Sequence, residues 1–214
     1  MVFSDDDSRP EKGRRKSSIR NANRKLILAA AEDVFAEQGF GGATMAEIAQ
    51  RAGLPKANLH YYFGTKEDLY KEVIHSILIE WSANMARISA EDEPRAAIVS
   101  YVRSKMEFSR TRPSASKVFA TEMMRGAPVL QDYLADVHDT VASGKNIVDQ
   151  WVSRGLLPAV DGRHVFIMLW AVTQHYADFE VQVRAILGKS RLTRADWQDI
   201  TAEVEALVLR SLGL

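Results

Sequence analysis

The sequence predicts an all-α protein, on three observations. Apolar residues recur at helical spacing in nearly every segment after residue 23, and several of these segments begin with a Thr that has an acidic residue three positions on. Alternating strands separated by glycine turns do not occur. About nine helices are expected on this spacing. The 214 residues, 46% of them hydrophobic, suffice for a small domain followed by a larger one.

The first three helices are expected to form a compact set over residues 23–63. An apolar stripe in the first helix ends at Gly39, a residue type that caps helix C-termini, and includes Leu28, Ala31 and Phe35. Thr44, with Glu47 three residues on, predicts a capping box before "MAEIAQRA", which stops at Gly53.

The later helices are also predicted from capping and proline chemistry. The expected starts are Thr65 with Asp68, Pro94, Pro113, Pro128, Asp161, and Thr193 with Asp196. The helix that Thr65 opens is expected to run toward Ile88, and Asp161 is expected to open one long apolar helix, "VFIMLWAVTQHYADFEVQVRAIL". Because "VFIMLWAV" is too apolar to face water, we expect the last two long helices to pair with those of a second copy.

The short "AGLP" connection between the second and third helices predicts a helix-turn-helix. Gly53 allows positive φ in a tight turn, and Pro55 fixes φ at the next helix start. Leu59 and Phe63 are then expected to face the core, near Ile48.

The opposite face of this third helix has the side chains that read a major groove. Lys56 can donate to guanine, Asn58 can pair with an adenine edge, and Ala57 can touch a thymine methyl group. Phosphate contacts, which set register rather than sequence, are expected from His60, Tyr61, Lys66 and Thr44. Aromatic packing against the neighbouring domain is the alternative for this cluster, and for Tyr62 the two interpretations are equally open.

A basic arm precedes these helices. Residues 9–25 carry eight Lys or Arg and one Glu, whereas Asp5–Asp7 make the preceding end acidic. Such an arm, here with Arg14, Arg15 and Lys16 at its centre, often binds the DNA backbone or the minor groove. A disordered, soluble tail is the alternative.

Residues 27–70 resemble the helix-turn-helix signature of the TetR family of bacterial regulators. The resemblance rests on features at the family's spacing: the Phe35, Gly39 and Phe40 segment, the Thr44 cap, Ile48–Ala49, Tyr61–Phe63 and Thr65–Glu67. Pro55 departs from the Ser common in the family, and His60 replaces a frequent Tyr. The resemblance implies a cytoplasmic homodimer that binds a palindromic double-stranded DNA operator, acts as a repressor and responds to a small-molecule effector. The expected division is a disordered basic arm (1–22), a DNA-binding domain (23–70) and a ligand-binding and dimerisation domain (71–214).

Residues 107–130 and 170–183 also resemble pyrimidine-sensing members of that family, which implies uracil or thymine as the effector. Trp170 and Gln174 are one helical turn apart and can line one wall of a pocket, where the amide matches the donor and carbonyls of an imide. Trp81 could stack on the ring, and Phe119 and Met123 could close the pocket. For the aromatic and Met residues, ordinary core packing is the alternative, and a TetR-type regulator of another small molecule is the alternative function.

Other chemistries find little support in the sequence. The chain has no cysteine, and its five histidines form no zinc motif, so neither a metal nor a cofactor is expected. An all-α enzyme that uses His175 or Glu122 is a further alternative, but no acid–base pair lies at a recognisable spacing. No apolar run approaches the ~18 residues of a membrane span, and the first residues lack a signal-peptide core.

Overall fold

The computed structural model describes residues 11–131 and 134–214, and the side chains of these from residue 17 onward, with residues 135 and 136 excepted. Ten α-helices and no strand occur in this part of the chain. The helices are α1 Glu11–Gly42, α2 Met45–Arg51, α3 Lys56–Tyr62, α4 Lys66–Met85, α5 Pro94–Thr111, α6 Pro113–Met124, α7 Leu134–Ser153, α8 Gly162–Asp178, α9 Glu180–Leu187 and α10 Arg194–Ser211. The all-α prediction is confirmed.

The chain divides into two compact units, Met1–Val73 and Ile74–Leu214, and the boundary falls within α4. It lies shortly after the boundary predicted at residue 70. In the first unit, α1 to α3 and the start of α4 enclose a small core. Phe35 is its centre: its ring meets the Tyr70 ring edge-on, with centroids 4.9 Å apart, and Ile48 and Leu59 are fully buried.

The second unit has a larger core, formed by α5, α7, α8 and α10. Trp151, Leu169 and Val204 are among its buried residues, and Phe166 meets the Tyr101 ring edge-on. The α7 and α8 helices pass closely here: a Cβ placed on Gly144 would lie 2.4 Å from the Phe166 ring.

The predicted helix starts hold where side-chain capping is strong. The side chain and backbone of Thr65 and Asp68 bond reciprocally, and Thr193 and Asp196 form a complete capping box. At Thr44 only half of the predicted box forms. Its hydroxyl accepts from the Glu47 amide, whereas the Glu47 carboxylate accepts from the Gln38 side chain instead.

Three expectations differ from the structure. The long helix predicted from Asp161 breaks at Phe179 (φ −115°, ψ 34°) into α8 and α9, which makes ten helices rather than about nine. A one-residue break leaves the apolar spacing intact on both sides, so the pattern did not reveal it. Pro128 lies in a turn before α7, not in a first helical turn. Residues 11–22 belong to α1, whereas the sequence predicted a disordered arm over 1–22. Lys and Arg favour helix, so an arm without apolar periodicity can still extend one.

Candidate DNA-binding face and ligand cavity

The α2–turn–α3 segment has the geometry expected of a helix-turn-helix. Gly53 takes φ +66°, and the Leu54 amide donates to the Ala49 carbonyl oxygen at 3.0 Å, which closes the turn. Leu59 and Phe63 are buried, as predicted from their spacing. The burial of this pair turns the opposite side of α3 outward.

That outward side carries most of the residues predicted to meet bases. Lys56 and Ala57 are exposed and Asn58 is half-buried, so their side chains lie at the N-terminal end of α3. No hydrogen bond or ion pair of the Lys56 side chain is found in the described part of the chain, which leaves its ammonium available to a partner. Tyr61 is 74% exposed. Its ring and hydroxyl are therefore accessible to a partner.

Tyr62 differs from its neighbour. Its hydroxyl accepts a hydrogen bond from the Asn23 side chain of α1 at 3.3 Å, and its ring packs edge-on against Tyr61, with centroids 5.3 Å apart. Tyr62 is thus half-buried and ties α3 to α1. These contacts are packing within the first unit, so the two interpretations left open for this residue, a DNA contact and packing against the neighbouring domain, both stay predictions.

The side chains of His60 and Thr44 are exposed, and each also makes a hydrogen bond within the first unit. The Nδ1 atom of His60 lies 3.2 Å from the Gly64 carbonyl oxygen, so in the neutral ring Nδ1 donates and Nε2 is an acceptor. A phosphate contact would therefore need the protonated ring, which has donors at both nitrogens. The Thr44 oxygen accepts from the Glu47 amide at 3.2 Å, and its own O–H can still donate.

Lys66 makes contacts that the sequence did not predict. Its Nζ donates to the carbonyl oxygens of Phe40 at 2.7 Å and of Ala43 at 2.9 Å, and it lies 4.6 Å from the centroid of the Phe40 ring. Two of its three donors are thus used inside the unit, at the end of α1. The side chain is half-buried, and its main role in the structure is to hold these carbonyls, not to face solvent.

The central residues of the basic arm, Arg14, Arg15 and Lys16, are helical in their backbone, but their side chains lie outside the described residues. Residues 1–10, with the acidic stretch at Asp5–Asp7, lie outside them altogether. Farther along α1, Arg24 forms an ion pair with Glu72 and lies over the Phe63 ring. That arginine therefore stabilises the unit.

The second unit contains a cavity of about 320 Å³. All five residues predicted to bind a ligand line it: Trp81, Phe119, Met123, Trp170 and Gln174. They come from α4, α6 and α8, and side chains of α5 and α7 complete the wall. Three hydroxyl residues also line it: Ser82 of α4, Tyr101 of α5 and Thr140 of α7. Binding of a ligand by these residues stays a prediction.

One polar pair fixes the position of Trp170. Its indole Nε1–H donates to the Tyr101 hydroxyl oxygen at 2.8 Å, so the ring serves as a wall and its N–H is already used. One turn along α8, the Gln174 amide also lines the cavity. No hydrogen bond of the Gln174 side chain is found among the described residues. A half-buried amide of this kind is suited to bind a polar ligand edge.

Trp81 presents at most one ring face to the cavity. The Lys105 ammonium lies 3.6 Å from the centroid of its ring, and the rings of Phe108 and Phe119 meet it edge-on at 5.4 and 4.6 Å. The buried indole nitrogen of Trp81 has no hydrogen-bond partner in the described part of the chain. Stacking of a planar ligand is therefore limited to the face opposite Lys105.

Lys105 itself is buried, with 1% of its surface exposed. Burial lowers the pKa of Lys105 to about 7, against the opposing influence of the Asp178 and Glu80 carboxylates. Asp178 accepts a hydrogen bond from the Ser116 hydroxyl at 2.6 Å, and its own burial raises the pKa of its carboxyl group. A titratable group thus lies directly behind one wall of the cavity.

A second concave surface, of about 820 Å³, runs along α8, α9 and α10. Ile186 and Leu207 line it and are 74% and 57% exposed. The segment "VFIMLWAV" was expected not to face water, and the pairing of the last two long helices with those of a second copy stays a prediction. Val165, Phe166 and Leu169 are buried in the core, and Ile167 is exposed.

Sequence reasoning missed three polar members of the cavity wall and Lys105. Tyr101 and Lys105 lie in an α5 pattern where spacing alone cannot separate a cavity residue from a core residue.

The two residues named for the enzyme alternative have different surroundings in the structure. His175 is exposed and stacks on Phe179, whereas the buried Glu122 carboxylate accepts from the Val129 amide at 2.6 Å. Within the described residues, no group of His, Asp and Glu could hold a metal ion, and no helix is long and apolar enough to cross a membrane.

Comparison with known proteins agrees with both units. Residues 27–73 match the model of bacterial regulatory proteins of the tetR family, and residues 74–214 match the YcdC-like protein, C-terminal region. The chain is 38% identical over 201 residues to the HTH-type transcriptional regulator RutR of Escherichia coli, which covers 94% of each chain. The HTH-type transcriptional repressor NicS of Pseudomonas putida is 24% identical over 210 residues, covering 92% of this chain and 98% of its own.

Solved structures show the same fold. The ketosteroid transcriptional regulator KstR2 of Mycobacterium tuberculosis superposes with a TM-score of 0.67 at 16% identity, over 88% of this chain and 94% of that one. A transcriptional regulator from Streptomyces coelicolor gives 0.65 at 23% identity, over 89% and 98%. These proteins are regulators and not enzymes. The chain belongs to the TetR family of bacterial helix-turn-helix transcriptional regulators.

Proposed function

We propose that this protein is a homodimeric repressor that binds a palindromic operator and responds to uracil or thymine. One observation carries the effector assignment: Trp81, Phe119, Met123, Trp170 and Gln174 all line one cavity of about 320 Å³. Its volume lies at the small end of the usual ~300–1,000 Å³ for ligand pockets, which favours a single small ring.

The wall chemistry supports a planar ligand with a hydrogen-bonding edge. Most of the wall is apolar, and Gln174 offers two donors and an acceptor one turn from the Trp170 ring. An imide, with an N–H between two carbonyls, matches such an amide. The resemblance of residues 107–130 and 170–183 to pyrimidine-sensing regulators favours uracil or thymine among imides, and a role in pyrimidine or nitrogen catabolism follows from that resemblance alone.

The DNA-binding proposal rests on the exposed face of α3. Lys56, Ala57 and Asn58 would read bases in the major groove, and Tyr61 would contact the phosphate backbone of the DNA. Thr44 and a protonated His60 would add phosphate contacts, whereas Lys66 would contribute only through its remaining donor. In the arm, Arg14, Arg15 and Lys16 would follow the backbone or enter the minor groove.

The apolar surface along α8 to α10 would pair with that of a second copy. Exposed Ile186 and Leu207 lie on it, and a two-fold pairing of this face would give the dimer two α3 helices, one for each half-site. Because α4 begins beside the DNA-binding helices at Lys66 and reaches the cavity at Trp81, it could couple the two. The effector would shift DNA affinity only in so far as it binds the two states of the dimer with different affinity.

Two measurements test this function. Fluorescence anisotropy with the DNA upstream of the gene, with and without 1,3-diazine bases, measures operator binding and its response. Titration calorimetry with uracil, thymine, cytosine and a purine measures selectivity, and cytosine is the sharpest control because its edge differs on the same ring. Equal binding of all four bases, or of none, would contradict the pyrimidine proposal. Binding of another ligand class would then support the alternative, a TetR-type regulator of a different small molecule.

A further inference from the structure

The Tyr101 hydroxyl is a buried polar group of the cavity wall. It lies on α5, is 4% exposed and lines the cavity together with Trp170 and Gln174. Nothing in the sequence pattern of α5 distinguished it from a core residue. Its hydrogen bonding nevertheless differs from that of a core tyrosine, which usually donates to a buried acceptor.

The direction of the Trp170–Tyr101 hydrogen bond is fixed by chemistry. An indole N–H can only donate, so the Tyr101 oxygen is the acceptor of the 2.8 Å bond. The hydroxyl proton must therefore point elsewhere. No acceptor for it is found among the described residues, and a buried donor without an acceptor is unfavourable.

The proton stays on this oxygen across the physiological range. Burial raises the pKa of Tyr101 to about 12, against the opposing effect of the bond from Trp170. The group is accordingly a neutral, oriented donor at the wall of the cavity. Its oxygen already accepts from Trp170, and the O–H is the donor that it can offer to a ligand.

We propose that Tyr101 donates a hydrogen bond to a carbonyl oxygen of the effector, with Trp170 as the residue that orients it. The inference rests on the proposed function in taking this cavity as the effector site. Gln174 would pair with the imide N–H and one carbonyl, and Tyr101 would take the other carbonyl. The wall would then require a ligand with acceptor, donor and acceptor in a row, which is the edge of a six-membered cyclic imide.

A double-mutant cycle between protein and ligand tests this contact. Calorimetry would compare wild-type protein and Tyr101→Phe, each with uracil, 2-thiouracil and 4-thiouracil. Tyr101→Phe should weaken uracil binding by about 5- to 150-fold, the range for loss of one partner of a buried hydrogen bond. Thiocarbonyl sulfur is a weak acceptor, so both thio compounds should bind wild type more weakly, since each carbonyl of uracil has a proposed donor. In one of the two compounds the sulfur replaces the oxygen that faces Tyr101. That same compound should lose little more in Tyr101→Phe, because the contact is already absent.

The cycle separates a contact from a structural effect. The larger size of sulfur should weaken binding to wild type and to Tyr101→Phe by the same factor. That factor therefore cancels when the two proteins are compared in the cycle. Thr173→Val is the matched control: it removes a buried hydroxyl of α8 that donates to the Leu169 carbonyl at 2.7 Å and does not line the cavity. We expect uracil affinity of this control within about twofold of wild type, since the Thr173 hydroxyl does not line the cavity. Thermal unfolding without ligand would show that both variants are folded.

The outcomes distinguish the two proposals. The role of Tyr101 would be overturned if Tyr101→Phe bound uracil as tightly as wild type does. It would also be overturned if, for both thio compounds, the loss of affinity caused by sulfur simply added to the loss caused by Tyr101→Phe. Either result would still allow the protein to be a pyrimidine sensor. Failure of the wild-type protein to bind either uracil or thymine would overturn both.

Discussion

The Lys66 ammonium lies 2.7 Å from the carbonyl oxygen of Phe40 and 4.6 Å from the centroid of the same residue's ring. A second carbonyl, that of Ala43, accepts from it at 2.9 Å. These carbonyls follow the break of α1 at Gly39, where helix geometry is interrupted. The first residue of α4 thus satisfies the exposed backbone end of α1.

Lys66→Met should therefore act mainly on stability. Loss of two hydrogen bonds from a charged donor should lower the free energy of unfolding by about 1.5–3 kcal/mol. The log–log salt slope of operator binding should fall by clearly less than the ~0.9 of a full phosphate contact, because two of the three donors of the ammonium are used within the unit and one is left for DNA. Chemical denaturation and anisotropy titrations at several salt concentrations measure the two effects. A log–log salt slope smaller by about 0.9, with stability unchanged, would instead identify Lys66 as a phosphate contact.

Asn58→Ala should change DNA preference rather than general affinity. Asn58 lies near the N-terminal end of α3, where an amide can pair with an adenine edge, and one bidentate pair is worth about 1–3 kcal/mol of discrimination. Binding to operators that vary at single positions should become less selective at one base pair per half-site. The control is Gln50→Ala, an exposed amide of α2. Equal loss of affinity for every sequence would contradict base recognition by Asn58.

The parts of the structure that could be predicted are those set by near neighbours in the chain. The Thr65–Asp68 and Thr193–Asp196 caps and the positive φ of Gly53 follow from local backbone chemistry. The Trp170–Gln174 wall follows from helical spacing. What could not be predicted depends on distant residues. Tyr101 meets Trp170 across 69 positions, and Lys66 reaches carbonyls 26 and 23 positions earlier.

Gln174→Leu should make the protein unresponsive to its effector. The leucine keeps the volume of the side chain but leaves a buried imide edge without a partner, which costs about 1–3 kcal/mol, or about 5- to 150-fold in affinity. Operator binding without effector should stay close to wild type, since the residue lies in the second unit. Calorimetry with uracil and anisotropy with operator DNA measure the two properties. Unchanged effector affinity would remove Gln174 from the site.

Leu207→Arg should convert the protein to monomers. Leu207 is 57% exposed on the concave apolar surface of α8 to α10, and a guanidinium there would be buried without a partner on pairing. Light scattering after size-exclusion chromatography measures the mass of the protein in solution. The Leu207→Arg protein should also bind a palindromic operator more weakly than wild type does. Ile79→Arg is the control, because Ile79 is 56% exposed but does not line this surface. A Leu207→Arg protein that remains dimeric would place the interface elsewhere.

Lys105→Met should stabilise the protein and remove a pH dependence. The pKa of Lys105 is lowered to about 7 from its ordinary 10.5, so between these values the unfolded chain binds a proton that the folded chain does not. The free energy of unfolding of the wild type should accordingly rise with pH through this window, by at most about 1.4 kcal/mol per unit for one proton. Below pH 7 the folded protein bears the full cost of a buried charge.

Methionine has a similar length and no charge, so it should fill the space between Trp81 and the Asp178 side of the core. The gain should be largest near neutral pH and below, on the order of 1–4 kcal/mol as for other buried charges replaced by apolar groups. It should shrink as the pH rises toward 10.5, because the folded lysine is then neutral and the unfolded lysine also begins to lose its proton. Urea denaturation of both proteins from pH 6 to 10 measures the difference. A variant less stable than wild type throughout this range would show instead that the ammonium, through the Trp81 ring and the Asp178 and Glu80 carboxylates, contributes more than its burial costs.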